Sequence, residues 1–169
     1  MSRCDECGYE YEDLSRAAAT NAIRSLAAAH EAILTTVLAP RLREHARPGS
    51  WSALEYGCHV RDVLRFQRER VELAQAADNP VFASMRRDER AVQERYNDQD
   101  PTLVGAAVTA RASELTAVLS GLADSGWLRA GLYPWPEPQI RTVEWVARRT
   151  AHELAHHLFD IRRLLGDPC

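Results

Sequence analysis

The 169-residue chain is expected to fold as an all-α protein, a four-helix bundle with an excursion between its second and third helices. Apolar residues recur at three- and four-residue steps through four long segments, the period of one face of a helix. No segment alternates at period two, the mark of a half-buried strand. Capping side chains, prolines and glycines punctuate the ends of those segments. With 46% hydrophobic and 27% charged residues, the composition is that of a globular chain with enough length for one well-buried core. The expected division is a cysteine-containing N-terminal tail over 1–13 and the bundle domain over 14–169.

The first helix is expected from Leu14 to Ala39, on the spacing of Ile23, Leu26, Ala27, His30, Ile33, Leu34 and Val37, with Pro40 kinking or restarting it. After the break at Arg47-Pro-Gly-Ser, Ser52-x-x-Glu55 is a capping box that opens the second helix, whose apolar stripe carries Val60, Val63, Leu64 and Val71. From Asp78 to Asp100 the chain is polar and charged, with Asn79-Pro80 and Asn97-Asp98-Gln99-Asp100-Pro101 as turn signals and a short helix expected over Asp88 to Tyr96. The third helix should run from Thr102 to Ala123 and end near Gly126. Trp127 to Arg141 is dense in proline and aromatic residues, too irregular for a helix, and is expected as a connection with Trp127, Tyr133 and Trp135 either packing or forming a lid. Thr142 can cap the fourth helix, which should reach Leu165 and stop at Gly166 and Pro168. An up-and-down or a crossed bundle both suit this pattern.

A net charge of −3 offers no general electrostatic attraction for nucleic acid, and all 21 basic residues are arginine, which reads as coding bias. The start MSRCDECGYEYED lacks an apolar signal core, and no later apolar run is expected to approach the length of a bilayer span. The expectation is a cytoplasmic protein with no nucleic-acid and no membrane partner. Its four cysteines, Cys4, Cys7, Cys58 and Cys169, are then free thiols or metal ligands rather than a disulfide framework.

The stretch TAHELAHHLFDI, Thr150 to Ile161, holds two overlapping metal-ligand pairs. His152-Glu153-x-x-His156 spells the zinc-protease signature, in which both histidines bind zinc and the glutamate is the base. Glu153-x-x-x-His157 is a second pair, one helical turn apart. Rotation of about 100° per residue separates them: with Thr150 at zero, Val143, Val146, Leu154, Leu158 and Ile161 fall on one arc between about −40° and about +80°. His157 falls at about −20° and Glu153 at about −60°, on the arc and at its rim, whereas His152 and His156 fall at about 200° and about 240°, beside Arg141, Arg148 and Arg163. Bundle metal sites are built from inward-facing side chains, so Glu153 and His157 are the better ligands and His152 and His156 are expected at the solvated surface. The protease reading also lacks the strand and the downstream third ligand that such enzymes use. Helical arithmetic leaves the third ligand open between His59, on the rim of the second helix's stripe, and His30, on the apolar face of the first.

Trp51-Ser-x-x-Glu55-x-x-x-His59 opening the second helix, with Glu153-x-x-x-His157-x-x-Asp160-Ile161 on the last, resembles the DinB/YfiT-like four-helix metalloproteins over roughly residues 14 to 167. In that family one histidine of the second helix and two ligands four apart on the last hold a divalent metal, commonly zinc or nickel. Many members use three histidines. The branch similar to mycothiol-dependent maleylpyruvate isomerase uses His, Glu and His followed by Asp-Leu, and this chain matches it with isoleucine for leucine. The resemblance implies His59, Glu153 and His157 as metal ligands, zinc first and nickel second. It also implies a transferase or isomerase that uses mycothiol, bacillithiol or a similar thiol as cosubstrate with a small electrophile. A homodimer is expected on the same ground. The alternative is a non-catalytic metal-binding or dimerising stress-associated bundle. Asp160, on the rim, could orient a ligand or pair with an arginine, and His30 is expected in the core. Cys4-x-x-Cys7-Gly8 lies outside the resemblance; an inert tail, a redox pair and a metal site completed by other residues or another subunit all remain open for it.

Overall fold

The computed structural model describes residues 3–134 and 137–166. Seven helices and a two-stranded ribbon follow one another among them: α1 (Arg16–Thr36), α2 (Ala39–Leu42), α3 (Ala53–Ala76), α4 (Arg87–Gln93), a 3-10 turn (Tyr96–Asp98), α5 (Pro101–Ser120), α6 (Asp124–Leu128), β1 (Ala130–Tyr133), β2 (Gln139–Thr142) and α7 (Val143–Leu165). The four long helices α1, α3, α5 and α7 form the expected bundle.

Their arrangement is the crossed one. α1 packs on α5 and α7, and α3 packs on the same two, so the first and second long helices lie diagonally opposite. An up-and-down ring would set the second and fourth long helices diagonally; here α3 and α7 are neighbours. Residues on the side of α3 that faces α7 can therefore meet the last helix directly.

The capping signals act as the sequence implied. Ser52 Oγ accepts from Glu55 N while Glu55 Oε2 accepts from Ser52 N at 2.7 Å, completing both halves of the capping box. Thr142 Oγ1 accepts from Trp145 N, and Gly166 ends α7 with φ of 74°, a left-handed conformation that a Cβ would strain. The first helix is shorter than expected: it ends at Thr36, and Pro40 sits in the first turn of the separate helix α2, where its missing N–H costs nothing. The third long helix likewise ends at Ser120, before the separate turn of α6.

The connection expected to be irregular holds the ribbon instead. β1 and β2 pair antiparallel from Ala130↔Thr142 to Tyr133↔Gln139, and Leu132 also bridges Val81. Gly131 is required here, since Phe82 packs flat where its Cβ would be. Trp127 is buried in the core, and Tyr133 packs on Trp145 while its hydroxyl accepts from Arg70. Both are packing residues; Trp135, the third aromatic considered for a lid, lies outside the described residues, as do Pro168 and Cys169.

The excursion is anchored by one carboxylate. Asp62 on α3 is buried and accepts from Arg61 Nε at 2.9 Å, from Arg90 Nη2 of α4 at 2.7 Å and from Tyr96 Oη at 2.7 Å. Burial pushes its pKa up, but the tyrosine hydroxyl and the two guanidinium groups outweigh that and hold the acid below the ordinary carboxylate range.

One expectation about apolar runs is corrected: Pro101–Ser120 is long and apolar enough to cross a membrane, with a mean hydropathy of 1.2 over its most apolar window. In the fold this helix is a bundle stave packed on α1 and α3, with Val104, Val108, Ala112, Leu115 and Leu119 in the core and Arg111 paired to Glu114.

Candidate metal centre

His59 and the pair on α7 meet where α3 and α7 cross. One donor atom from each of His59, Glu153 and His157 lies within 4.8 Å of the other two. Both histidines are buried, and Glu153 is partly buried. Trp51 meets the His59 ring edge-on at 5.1 Å, Tyr56 lies against His157 at 5.3 Å, and the two imidazoles are T-shaped to one another at 4.9 Å.

Hydrogen bonding settles how His157 is presented. Its Nδ1 is 3.1 Å from Asp160 Oδ2. An ionised carboxylate only accepts, so Nδ1 carries a ring proton and, in the neutral ring, Nε2 carries the lone pair. Nε2 is buried, has no hydrogen-bond partner among the described residues, and lies 3.5 Å from Glu153 Oε2. Two lone-pair-bearing atoms facing one another out of water repel unless a cation lies between them, either a proton or a metal. The other carboxylate oxygen, Oε1, is paired with Arg149.

The pKa directions agree. For Glu153 burial acts upward, yet the close His157 imidazole and the Arg149 charge hold it well below the usual carboxylate range. Burial drives His157 down, but Asp160 and Glu153 raise it overall. His59, buried and facing His157, is lowered to about 3 and is neutral at physiological pH. Two imidazoles and one carboxylate, with Asp160 behind one imidazole, are a donor set that fits a divalent metal and leaves coordination positions free for a small molecule.

His30 is fully buried and its Nε2 lies 2.9 Å from the Leu154 carbonyl, a core role across α1 and α7 and not a place in the cluster. Burial lowers it to about 4. His45 is exposed, with Nδ1 2.6 Å from the Ser50 carbonyl.

His152 and His156 require a correction. They lie on the far face of α7 as the helical rotation places them, but there that face is covered, burying His152 and leaving His156 half-buried. Residues 3–14 cover it: Tyr11 stacks on His152 at 4.4 Å, Arg148 Nε donates to the Leu14 carbonyl, and His152 is 6% exposed. Donor atoms of Cys4, Cys7, His152 and His156 lie within 4.8 Å of one another. The spacing of His152 and His156 and the Cys4-x-x-Cys7 pair were both visible in the sequence, but nothing local connects two motifs about 145 residues apart.

A four-helix bundle with a His–Glu–His cluster between neighbouring helices defines a class of helical scaffolds whose donor set could hold a metal. Within it, the chain belongs to the DinB superfamily, whose family model matches residues 20–161. Among solved structures it is similar to YfiT from Bacillus subtilis, described as a probable metal-dependent hydrolase with an unusual four-helix bundle topology, with a TM-score of 0.77 at 17% identity over 95% of this chain and 94% of that one. It is also similar to the mycothiol-dependent maleylpyruvate isomerase, with a TM-score of 0.73 at 14% identity over 90% of this chain and 63% of the isomerase. No curated protein matches the chain.

Proposed function

We propose that His59, Glu153 and His157 hold a divalent metal, zinc first and nickel second, and that the protein is a transferase or isomerase using a low-molecular-weight thiol of the mycothiol type. The observation that carries the metal is the orphaned His157 Nε2 facing Glu153 Oε2. The thiol rests on the ligand order His, Glu, His followed by Asp160 and on the likeness to a mycothiol-dependent enzyme.

A metal at this site supplies a Lewis acid that makes a thiol or water at a free position more acidic. The chain's own groups prepare the site. Asp160 keeps the proton of His157 on Nδ1, away from the donor set. Arg149 keeps Glu153 ionised and fixes its plane through Oε1, leaving Oε2 toward the histidines. Trp51 and Tyr56 flank the rings and limit water around them. Glu153, as an anionic ligand group, would lower the net charge of such a centre and so favour the nucleophilicity of a thiol held there.

Elemental analysis, followed by a screen of mycothiol and bacillithiol with electrophiles such as monobromobimane, tests the reading. Metal-dependent thiol consumption that disappears in His59→Ala supports it. Metal without thiol turnover, but with ester or amide hydrolysis, would move the protein to the hydrolase reading that the full-length likeness to YfiT favours. Metal with neither activity would leave a binding bundle.

A further inference from the structure

We propose that Cys4, Cys7, His152 and His156 form a second metal site, a closed tetrahedral zinc site that fastens the N-terminal segment to α7. It shares no residue with the His59 cluster and does not depend on the activity proposed for that cluster.

Four donors from two segments distant in sequence converge here, each within 4.8 Å of the others. A zinc tetrahedron with Zn–S of about 2.3 Å and Zn–N of about 2.0–2.1 Å has edges of roughly 3.3–3.8 Å, so modest contraction around an ion closes it. Cys4 Sγ is already 3.6 Å from His156 Nδ1. The cysteines are free thiols on a tight hairpin: Gly8 N donates to the Cys4 carbonyl at 2.9 Å, Cys4 N donates to the Tyr9 carbonyl at 3.1 Å, and Arg3 bridges Glu10. Gly8 turns the chain with φ of 71°, and a Cβ there would press on the Arg3 guanidinium.

His156 is held from behind and free in front, as metal-bound histidines are. His156 Nε2 lies 3.2 Å from Glu6 Oε2 and 3.7 Å from Asp160 Oδ2, leaving Nδ1 for the cluster. His152 Nε2 is buried with no hydrogen-bond partner among the described residues, while Arg149 Nη1 lies 3.0 Å from its Nδ1. Loading Nε2 places the ring proton on Nδ1, so Arg149 gives up His152 and keeps its ion pair with Glu153.

The donor set selects the ion. Two thiolates with two imidazoles are the soft, tetrahedral set of structural zinc, and their two charges neutralise the ion without outside help. Four protein ligands leave no position for a substrate, so the site is structural. A disulfide or dithiol role for Cys4 and Cys7 would need neither histidine. The H-E-x-x-H stretch thus serves two centres: its histidines face the N-terminal hairpin, and its glutamate faces the bundle.

The test is metal content of the full chain purified under reducing conditions, with cobalt as a spectroscopic probe. Wild type should hold about two equivalents, and Cys4→Ser/Cys7→Ser and His59→Ala/His157→Ala about one each. Cobalt-loaded wild type and His59→Ala/His157→Ala should show thiolate-to-cobalt charge-transfer absorption, and the serine variant none. His156→Cys should keep the second equivalent with stronger absorption, which guards against a serine variant that merely misfolds. Limited proteolysis should cut within residues 3–13 of the serine variant and spare zinc-loaded wild type. Two equivalents retained in the folded serine variant, absence of thiolate absorption in wild type, or a Cys4–Cys7 disulfide in the metal-loaded protein would overturn the proposal.

Discussion

Asp160 shows how much one side chain decides at the centre. Its Oδ2 lies 3.1 Å from His157 Nδ1 and 3.7 Å from His156 Nε2, so one carboxylate stands behind a histidine of each cluster. Burial pushes its pKa up, and the His157 hydrogen bond with the His157 and His156 charges pulls it below the ordinary range. Asp160→Asn keeps the shape but replaces an acceptor-only group by one that can also donate. Metal affinity should fall roughly 10- to 100-fold, read by competition with a chromophoric chelator. Glu153→Gln removes the anionic ligand and should weaken the His59 centre at least as much, whereas Glu153→His should still bind metal with a slower thiol reaction, because more positive charge stays on the ion. Unchanged affinity and rate in Glu153→Gln would make Glu153 a rim residue and remove the isomerase-like assignment.

At the scale of elements, the capping box and the ribbon carry the sharpest expectations. Ser52 is fully buried, caps α3 and donates from Oγ to Asn97 Oδ1 at 2.7 Å, tying the helix start to the 3-10 turn. Ser52→Ala should cost about 1 kcal/mol for the cap and about 1 kcal/mol more for the lost side-chain bond, measured by urea unfolding. Gly131→Ala drives a methyl into the buried Phe82 ring, where overpacking costs about 1–3 kcal/mol; Gly131→Ala with Phe82→Leu should recover part of the loss. A wild-type-like midpoint for Gly131→Ala would mean that the ribbon shifts freely away from α3. These elements also mark the limit of local reading. Ser52-x-x-Glu55 and Gly166 act through neighbours within a few residues, so the sequence displays them. The ribbon has four residues per strand, and its pairing with Val81 depends on chain about 50 residues away.

Across the whole molecule, the bundle buries imidazoles in forms that resist protonation. His30, lowered to about 4, takes up a proton in the unfolded chain near its ordinary value of 6.5 and not in the folded one. Its neutral form therefore supports folding fully above pH 6.5, and that support is lost as the pH falls toward 4, at up to about 1.4 kcal/mol per pH unit. His59 acts in the same sense in the metal-free protein, whereas His157, raised in the fold, acts in the opposite one and gives up its contribution as pH rises through its folded pKa. Metal-free protein should lose stability from pH 6.5 to 4, and His30→Gln should flatten that slope by about one proton, measured as urea midpoints against pH. An identical slope in His30→Gln would exclude His30 as the source.

The sequence by itself determined the helices, because a helix is made by contacts within four residues: the apolar stripes, the Ser52 and Thr142 caps and the Gly166 stop are all written locally. It also set Glu153 and His157 on the inward face of the last helix, since rotation along one helix needs no knowledge of its neighbours. His59 was reached through resemblance, because helical arithmetic left it level with His30. Only the tertiary structure brings His59, and not His30, beside that pair: the crossed topology sets α3 beside α7, and His30 is spent on the Leu154 carbonyl. The same holds for the far face of α7. Its histidines look solvated on a single helix, and what covers them is a hairpin from the opposite end of the chain, brought there by packing that no local pattern encodes.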